Sequence, residues 1–305
     1  MGFERLPYAS KVLVWRLSAF GDVILTTPLL ALLQSYRPDV EIHYAVKTTY
    51  AEAIAHNPHI DHVIKIEHQS STGSYRPYLE KYYTILDLQA NTSSRKLFRH
   101  FSGPVFRVDK YNFSKLQMTA FKRRLQIPHI VERYCEVLKP LGIDSPPGPL
   151  RFDIPPAASE SAGLMLSSWS LNESNPARLL AFVIGASYGT KQWPAYLWAE
   201  LIRRVPYPTV LLGGPGDVKV GATILNQLDD PVRKRVLDAV GRCNFATSAA
   251  LIDRCAVVVT PDTGLMHVAA ALQKPILTLW GNTVPEFGIC AMPFGAFSLH
   301  ENTQS

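Results

Sequence analysis

The run Thr260-Pro261-Asp262-Thr263-Gly264-Leu265-Met266-His267 holds residues suited to receiving an anion, between an apolar stretch, Ala256–Val259, and a helix-forming one, Val268–Leu272. Asp262 or Thr263 can cap the helix, whose first backbone N–H groups then point outward with the positive end of the helix dipole. Gly264 permits close approach to the backbone, and His267 lies about one turn in. A phosphate fits such a turn. A plain capped strand–helix unit with a satisfied histidine fits it too, and the residues alone leave both readings open.

Three further loops carry residues of the same kind. Arg16-Leu17-Ser18-Ala19-Phe20-Gly21-Asp22 offers a lone carboxylate, Asp22, after the opening apolar run. Gly185-Ala186-Ser187-Tyr188-Gly189-Thr190-Lys191-Gln192-Trp193-Pro194 brings a hydroxyl and an ammonium together, and Gly213-Gly214-Pro215-Gly216-Asp217 is a tight turn. Asp217 suits a ribose hydroxyl or a helix cap, with the cap favoured. Arg16 and Ser18 flank Asp22, although Arg16 alternates within a strand pattern and is equally readable as facing solvent.

Positioning these loops requires strands that end where they begin. Lys11–Leu17, Val40–Val46, His62–Ile66, Tyr83–Leu88 and Pro104–Val108 read as short strands separated by helical patterns, so the first half predicts a parallel, doubly wound sheet. Proline-rich punctuation follows at Asp144–Pro149 and Asp153–Pro156. Leu179–Ile184, Thr209–Leu212, Val236–Val240, Ala256–Thr260 and Pro275–Trp280 then repeat the alternation. The expected organisation is an N-terminal Rossmann-like domain over 1–143, a linker over 144–157 and a C-terminal Rossmann-like domain over 158–305, facing each other across a cleft. All four loops fall at carboxyl ends of strands, where open α/β sheets bind ligands. Three belong to the second half, which should therefore hold a phosphorylated ligand.

Composition excludes several classes. At 305 residues, 47% hydrophobic and 18% charged, the chain is an ordered globular protein rather than a disordered or coiled-coil one. No uninterrupted apolar run approaches a membrane span and the first ten residues lack a signal-peptide core, so a cytoplasmic location is expected. Cys135, Cys243, Cys255 and Cys290 lack the spacing of a zinc site or a disulfide framework. The net charge of +6 is concentrated: between Arg95 and Ile130 nine basic residues face one acid, Asp109. That stretch alone exceeds the surplus of the whole chain. Phe98, Phe101, Phe106, Tyr111, Phe113 and Phe121 interleave with it, a pattern of an anion-binding or interfacial segment and equally of a solvated helix face over buried aromatics.

The combination resembles glycosyltransferase family 9, the ADP-heptose:lipopolysaccharide heptosyltransferases and their relatives. The matching pieces are Arg16-x-Ser18-x-x-Gly21-Asp22-Val23-Ile24-Leu25-Thr26-Thr27-Pro28, Gly185-Ala186-Ser187 with Lys191-x-Trp193-Pro194, Gly213-Gly214-Pro215, and Asp262-Thr263-Gly264-Leu265-x-His267. Each piece is weak alone, and their order and separations make them specific. The resemblance implies a GT-B fold and inverting transfer from a nucleotide-activated sugar, with ADP-heptose as donor and an anionic, lipid-anchored lipopolysaccharide core as acceptor. It also implies peripheral contact with the cytoplasmic face of the inner membrane. No cofactor and no nucleic-acid partner are expected.

On this resemblance Asp22 matches the catalytic base, with Arg16, Ser18 and Gly21 on the acceptor side. Its other reading is a helix cap, which Thr27-Pro28 weakens by resembling the true cap and first helical proline, leaving Asp22 in the loop. Ser187, Lys191, Gly213, Gly214, Thr263, Gly264 and His267 match donor and diphosphate contacts, and Asp262 stands beside them as the expected cap. The sequence contains no Asp-x-Asp, so lysine and the helix terminus are expected to replace a metal ion. Family members continue well past Thr283 into helices, whereas 295–304 here is polar with little helical pattern, so a shortened C-terminal end is expected. Two alternatives remain open on sequence alone: a sugar-nucleotide epimerase of the same fold, and a non-catalytic binder of sugar nucleotide or glycolipid.

Overall fold

A computed structural model describes residues 6–67, 78–112, 127–169, 179–186, 192–280 and the backbone of 298–302. The chain divides into two compact units, the first over Met1–Arg151 and the second beginning at Phe152.

In chain order the first unit contains β1 (Lys11–Trp15), α1 (Phe20–Ile24), α2 (Thr27–Tyr36), β2 (Glu41–Lys47), β3 (His62–Ile66), β4 (Thr84–Asp87), α3 (Thr92–Leu97), β5 (Val105–Arg107) and α4 (Ile130–Glu136). The five strands are parallel in the order β3-β2-β1-β4-β5. β1 lies at the centre, and its Val12, Leu13, Val14 and Trp15 are all buried. A parallel strand covered on both faces reads as a continuous apolar run rather than an alternating one, which is why it was legible. Trp15 meets Phe98 edge-on at 5.3 Å and 87°, inside a core with Leu13, Ile85 and Leu97. Phe98, counted above with the basic segment, therefore belongs to the core.

The second unit contains α5 (Pro156–Ser168), β6 (Leu180–Val183), α6 (Ala195–Arg204), β7 (Thr209–Leu212), α7 (Val218–Asn226), α8 (Asp230–Arg233), β8 (Val236–Asp238), α9 (Phe245–Asp253), β9 (Val257–Pro261), α10 (Gly264–Ala271), β10 (Ile276–Trp280) and β11 (Ser298–Asn302). Its six parallel strands run β11-β10-β9-β6-β7-β8. α6 buries Trp198, Ala199 and Ile202, one stripe of an amphipathic helix, and Trp198 packs against Phe182 and Trp193. Asn244 caps α9 by accepting from Thr247 N at 2.8 Å.

Two expectations change. Pro156 and Ala157, assigned to the linker, begin α5, because proline suits the first helical position. The polar stretch at the C-terminal end is not irregular throughout: Ser298–Asn302 pairs in parallel with β10 from Ile276↔Ser298 to Trp280↔Asn302. An edge strand needs backbone partners on one side only, so its sequence need not be apolar.

Candidate functional site

Asp22 does not sit free in a loop. It is the third residue of the short helix α1, where its Oδ2 accepts from Ala19 N at 3.4 Å. Thr27 is not a cap either. It opens α2, its hydroxyl donates to Ile24 O, and the same oxygen accepts from Arg151 N at 3.0 Å. The reading that Thr27-Pro28 relieves Asp22 of a capping role is thus overturned: Asp22 reaches back to Ala19 while pairing with Arg16, whose Nη2 lies 2.8 Å from Oδ2.

Arg16 does not face solvent. It is buried, donates from Nη1 to Leu88 O at 2.8 Å, and lies over the Tyr134 ring at 5.8 Å. Burial alone would lower the guanidinium's pKa, but Tyr134, Asp22 and Tyr44 outweigh it and the group is raised above its ordinary value. The result is a fixed cation that orients a carboxylate still 39% exposed. Ser18 lies between β1 and α1, and Gly21 is the second residue of α1. Arg16, Ser18, Gly21 and Asp22 are therefore brought together at the carboxyl end of the central strand.

A second polar feature of this unit was not foreseen. Asp87, fully buried at the end of β4, accepts from Ala90 N and from Ser94 Oγ, each at 2.8 Å, and stands 3.3 Å from Arg107 Nε. It anchors one wall of a cavity of about 440 Å³ lined by Ala90, Arg95, Arg107, Asp109, Lys110 and Asn112. Burial, then the Arg16 cation, lower the Lys110 pKa below the usual lysine range, while the Asp87 and Asp22 carboxylates oppose the shift. That interaction places Lys110 in the same electrostatic neighbourhood as the proposed base. Ala90 and Tyr111 hold positive φ angles of 40° and 52° at this end of the sheet, where side chains other than glycine are strained. Of the remaining basic segment, Arg95, Lys96 and Arg99 are exposed, and Lys115, Lys122, Arg123 and Arg124 lie outside the described residues.

In the second unit the turn after β7 is built around Asp217. A Cβ on Gly185 would fall 2.2 Å from Asp217 Oδ2, and one on Gly213 would fall 3.0 Å from Asp217 Cβ. Glycine at 185 therefore admits that carboxylate, which accepts from Gly214 N at 2.8 Å, while a side chain at 213 would fit only if Asp217 and Val240 gave way slightly. Asp217 makes no side-chain bond as the cap of α7, but it is the third residue of the short 3-10 turn Pro215–Asp217, and its carboxylate caps the start of that turn by reaching back as a clasp across the glycines to Gly214 N. Gly213 packs close beneath this clasp, whereas a Cβ at Gly214 would meet the carboxylate only at an ordinary 3.7 Å.

After β9 the cap of α10 is Thr263, not Asp262, and Thr263 makes no side-chain capping bond. Its hydroxyl stands 3.4 Å from that of Thr260, which is occupied with Pro261 O. The opening N–H groups of α10, from Gly264 onward, therefore lack the usual hydroxyl partner and present the positive end of the helix dipole. His267 is buried within the helix's first turn. Thr263, Gly264 and His267 are brought together with Asp262. Ser187 and Lys191 lie outside the described residues.

Paired units of this kind, each a parallel Rossmann-type sheet with its functional loops at strand carboxyl ends, are the fold class of GT-B glycosyltransferases. Residues 78–294 match glycosyltransferase family 9 (heptosyltransferase). Lipopolysaccharide heptosyltransferase 2 of Salmonella typhimurium is 34% identical over 168 residues, which are 52% of this chain and 48% of the relative, so that alignment spans about half of it. Lipopolysaccharide heptosyltransferase 2 of Escherichia coli is 26% identical over 298 residues, 91% of this chain and 84% of the relative. The solved Escherichia coli ADP-heptose LPS heptosyltransferase II superposes with a TM-score of 0.76 at 23% identity, covering 96% of this chain and 91% of that one. The chain belongs to glycosyltransferase family 9, the heptosyltransferases.

Proposed function

We propose that this protein transfers heptose from ADP-heptose to a lipopolysaccharide-core-type acceptor, with inversion at the anomeric carbon and without a divalent metal. The Arg16–Asp22 pair carries the reading: a carboxylate held by a buried guanidinium at the end of the central strand, yet open on its other side. In the transfer step the acceptor hydroxyl oxygen attacks the anomeric carbon and the bond from that carbon to the diphosphate oxygen breaks. ADP leaves with the electron pair, and the acceptor proton passes to the Asp22 carboxylate. Direct displacement of this kind inverts the centre. Thr263, Gly264 and His267 suit the diphosphate, and the family resemblance assigns Ser187 and Lys191 to it as well, so that helix-terminus N–H groups and a lysine offset the charge that grows on the leaving group. The absence of Asp-x-Asp from the sequence supports this division of labour.

Arg95, Arg107 and Lys110 around the cavity at the ends of β4 and β5 suit an acceptor that carries carboxylate or phosphate. Lys122, Arg123 and Arg124 add charge suited to the cytoplasmic membrane face that presents it. No helix among the described residues is long and apolar enough to cross a membrane. The deciding experiment incubates the full chain with a panel of nucleotide sugars, with and without deacylated lipopolysaccharide core, and measures released nucleotide. Release of ADP from ADP-heptose only when core is present supports transfer. A nucleotide sugar altered without acceptor and without released nucleotide, seen by chromatography of the same mixtures, would identify an isomerase instead, and binding without turnover a non-catalytic protein.

A further inference from the structure

Away from Asp22, nearer the amino ends of the strands of the first unit, three side chains converge for which heptosyl transfer has no use. Glu41 and His43 are two residues apart on β2 and so project from one face of the sheet, while the register His43↔His62 sets His62 beside them on β3. Glu41 Oε1 lies 2.7 Å from His43 Nε2 and 3.3 Å from His62 Nε2, and the three donor atoms all fall within 4.8 Å of one another. The two imidazoles meet at 4.6 Å between centroids. Behind them the Tyr82 hydroxyl, on a buried ring, hydrogen-bonds His43 Nδ1 at 3.0 Å.

We propose that Glu41, His43 and His62 bind a divalent transition-metal ion of the zinc class, with solvent completing the coordination. Two imidazole nitrogens and one carboxylate oxygen suit zinc, cobalt, nickel or copper, and are a poor set for magnesium or calcium, which favour oxygen ligands. Ligand bonds of about 2.0 to 2.2 Å in a tetrahedron separate donor atoms by roughly 3.4 Å, so the His62–Glu41 pair already stands at that spacing and the His43–Glu41 pair needs only to part slightly. Tyr82 supplies the outer hydrogen bond that fixes which histidine nitrogen faces the ion. Lys11 holds the other carboxylate oxygen, Glu41 Oε2, at 2.9 Å and leaves Oε1 to the ion. His62 is 63% exposed, which provides the entry path. The ion would pin edge strand β3 to β2, a structural role at the opposite end of the strands from the proposed base.

The test uses the tag-free full chain stripped with a chelator, titrated with Co²⁺ by visible absorbance and with Zn²⁺ by calorimetry. One equivalent should bind, with the intense bands of tetrahedral cobalt and a raised melting temperature. His62→Ala removes an exposed ligand without touching the core and should weaken binding at least tenfold, as should Glu41→Gln. Tyr82→Phe should weaken it by about 10- to 100-fold through the outer shell alone. His56→Ala, at an exposed histidine elsewhere on this unit, should leave it unchanged. No saturable binding tighter than about 1 mM would overturn the site. Equal binding by parent and His62→Ala, equal loss in His56→Ala, or equal affinity for Mg²⁺ would overturn it as well, leaving a hydrogen-bonded histidine cluster.

Discussion

Replacing Asp22 with Asn separates a catalytic role from a structural one, because the two predict losses of very different size. The amide keeps the shape of the carboxylate and retains an oxygen to accept from Ala19 N and Arg16 Nη2, so α1 should form as before. What disappears is the ion pair, and its Asp22 side is 39% exposed. Pairs screened by solvent to that degree contribute about 0 to 1 kcal/mol, so the melting temperature should fall by only a few degrees. A general base contributes about 10²- to 10⁴-fold in rate, or roughly 3 to 5 kcal/mol of barrier. The rate loss should therefore exceed the stability loss several-fold. The assay follows acceptor-dependent ADP release under initial-rate conditions, beside ADP titration by calorimetry and a thermal melt on the same preparation. The expected result is kcat down by at least 10²-fold with ADP affinity essentially unchanged, since the base acts only as the acceptor attacks. Near-normal turnover, or ADP affinity falling in step with rate, would refute the assignment and return Asp22 to the role of a helix-terminal clasp.

Lys191→Ala and His267→Ala should each weaken ADP binding by roughly 1 to 3 kcal/mol, the range for a lost charge-assisted hydrogen bond; calorimetric titration with ADP and UDP reads both the loss and the preferred base, and unchanged affinity in both variants would remove the α10 turn from the donor site. Gly185→Ala should drive a methyl group into the Asp217 carboxylate, with a destabilisation of about 1 to 3 kcal/mol by chemical denaturation and a partial recovery in the Gly185→Ala/Asp217→Ala pair. A double variant no more stable than the single one would show that the clasp is not what requires glycine. Replacing Lys122, Arg123 and Arg124 with Ser should raise KM for a phosphorylated acceptor and flatten its salt dependence while donor affinity stays put. Parent-like binding of acceptor and of anionic vesicles at low salt would reduce this cluster to a solvated face.

The first ten strands were legible because each is a short, largely apolar run bounded by glycine, proline or polar residues, a local property that burial on both faces demands of the central strands. β11 escaped notice for the converse reason: Ser-Leu-His-Glu-Asn carries no periodic apolar signal, and its strand character comes from the open edge of β10. The same division runs through the candidate site. Residue type and spacing already singled out Asp22, the glycine turn at 213–214 and the anion-directed turn at 262–267, since turns and helix starts are encoded within a few residues. What each group touches was not encoded there. Only the tertiary structure buries Arg16 against Leu88 and Tyr134 so that it grips Asp22, and only it sets the Asp217 carboxylate against Gly185, 32 residues away in sequence. It likewise gathers Arg95, Arg107 and Lys110 around a cavity beside buried Asp87, and stacks Glu41, His43 and His62 on one face of two neighbouring strands. Strands and turns are chosen by backbone preference and local hydrophobic pattern, which a chain carries in sequence order. Partnerships between charged side chains depend on which strands pair and in what register, and packing of the whole sheet decides that.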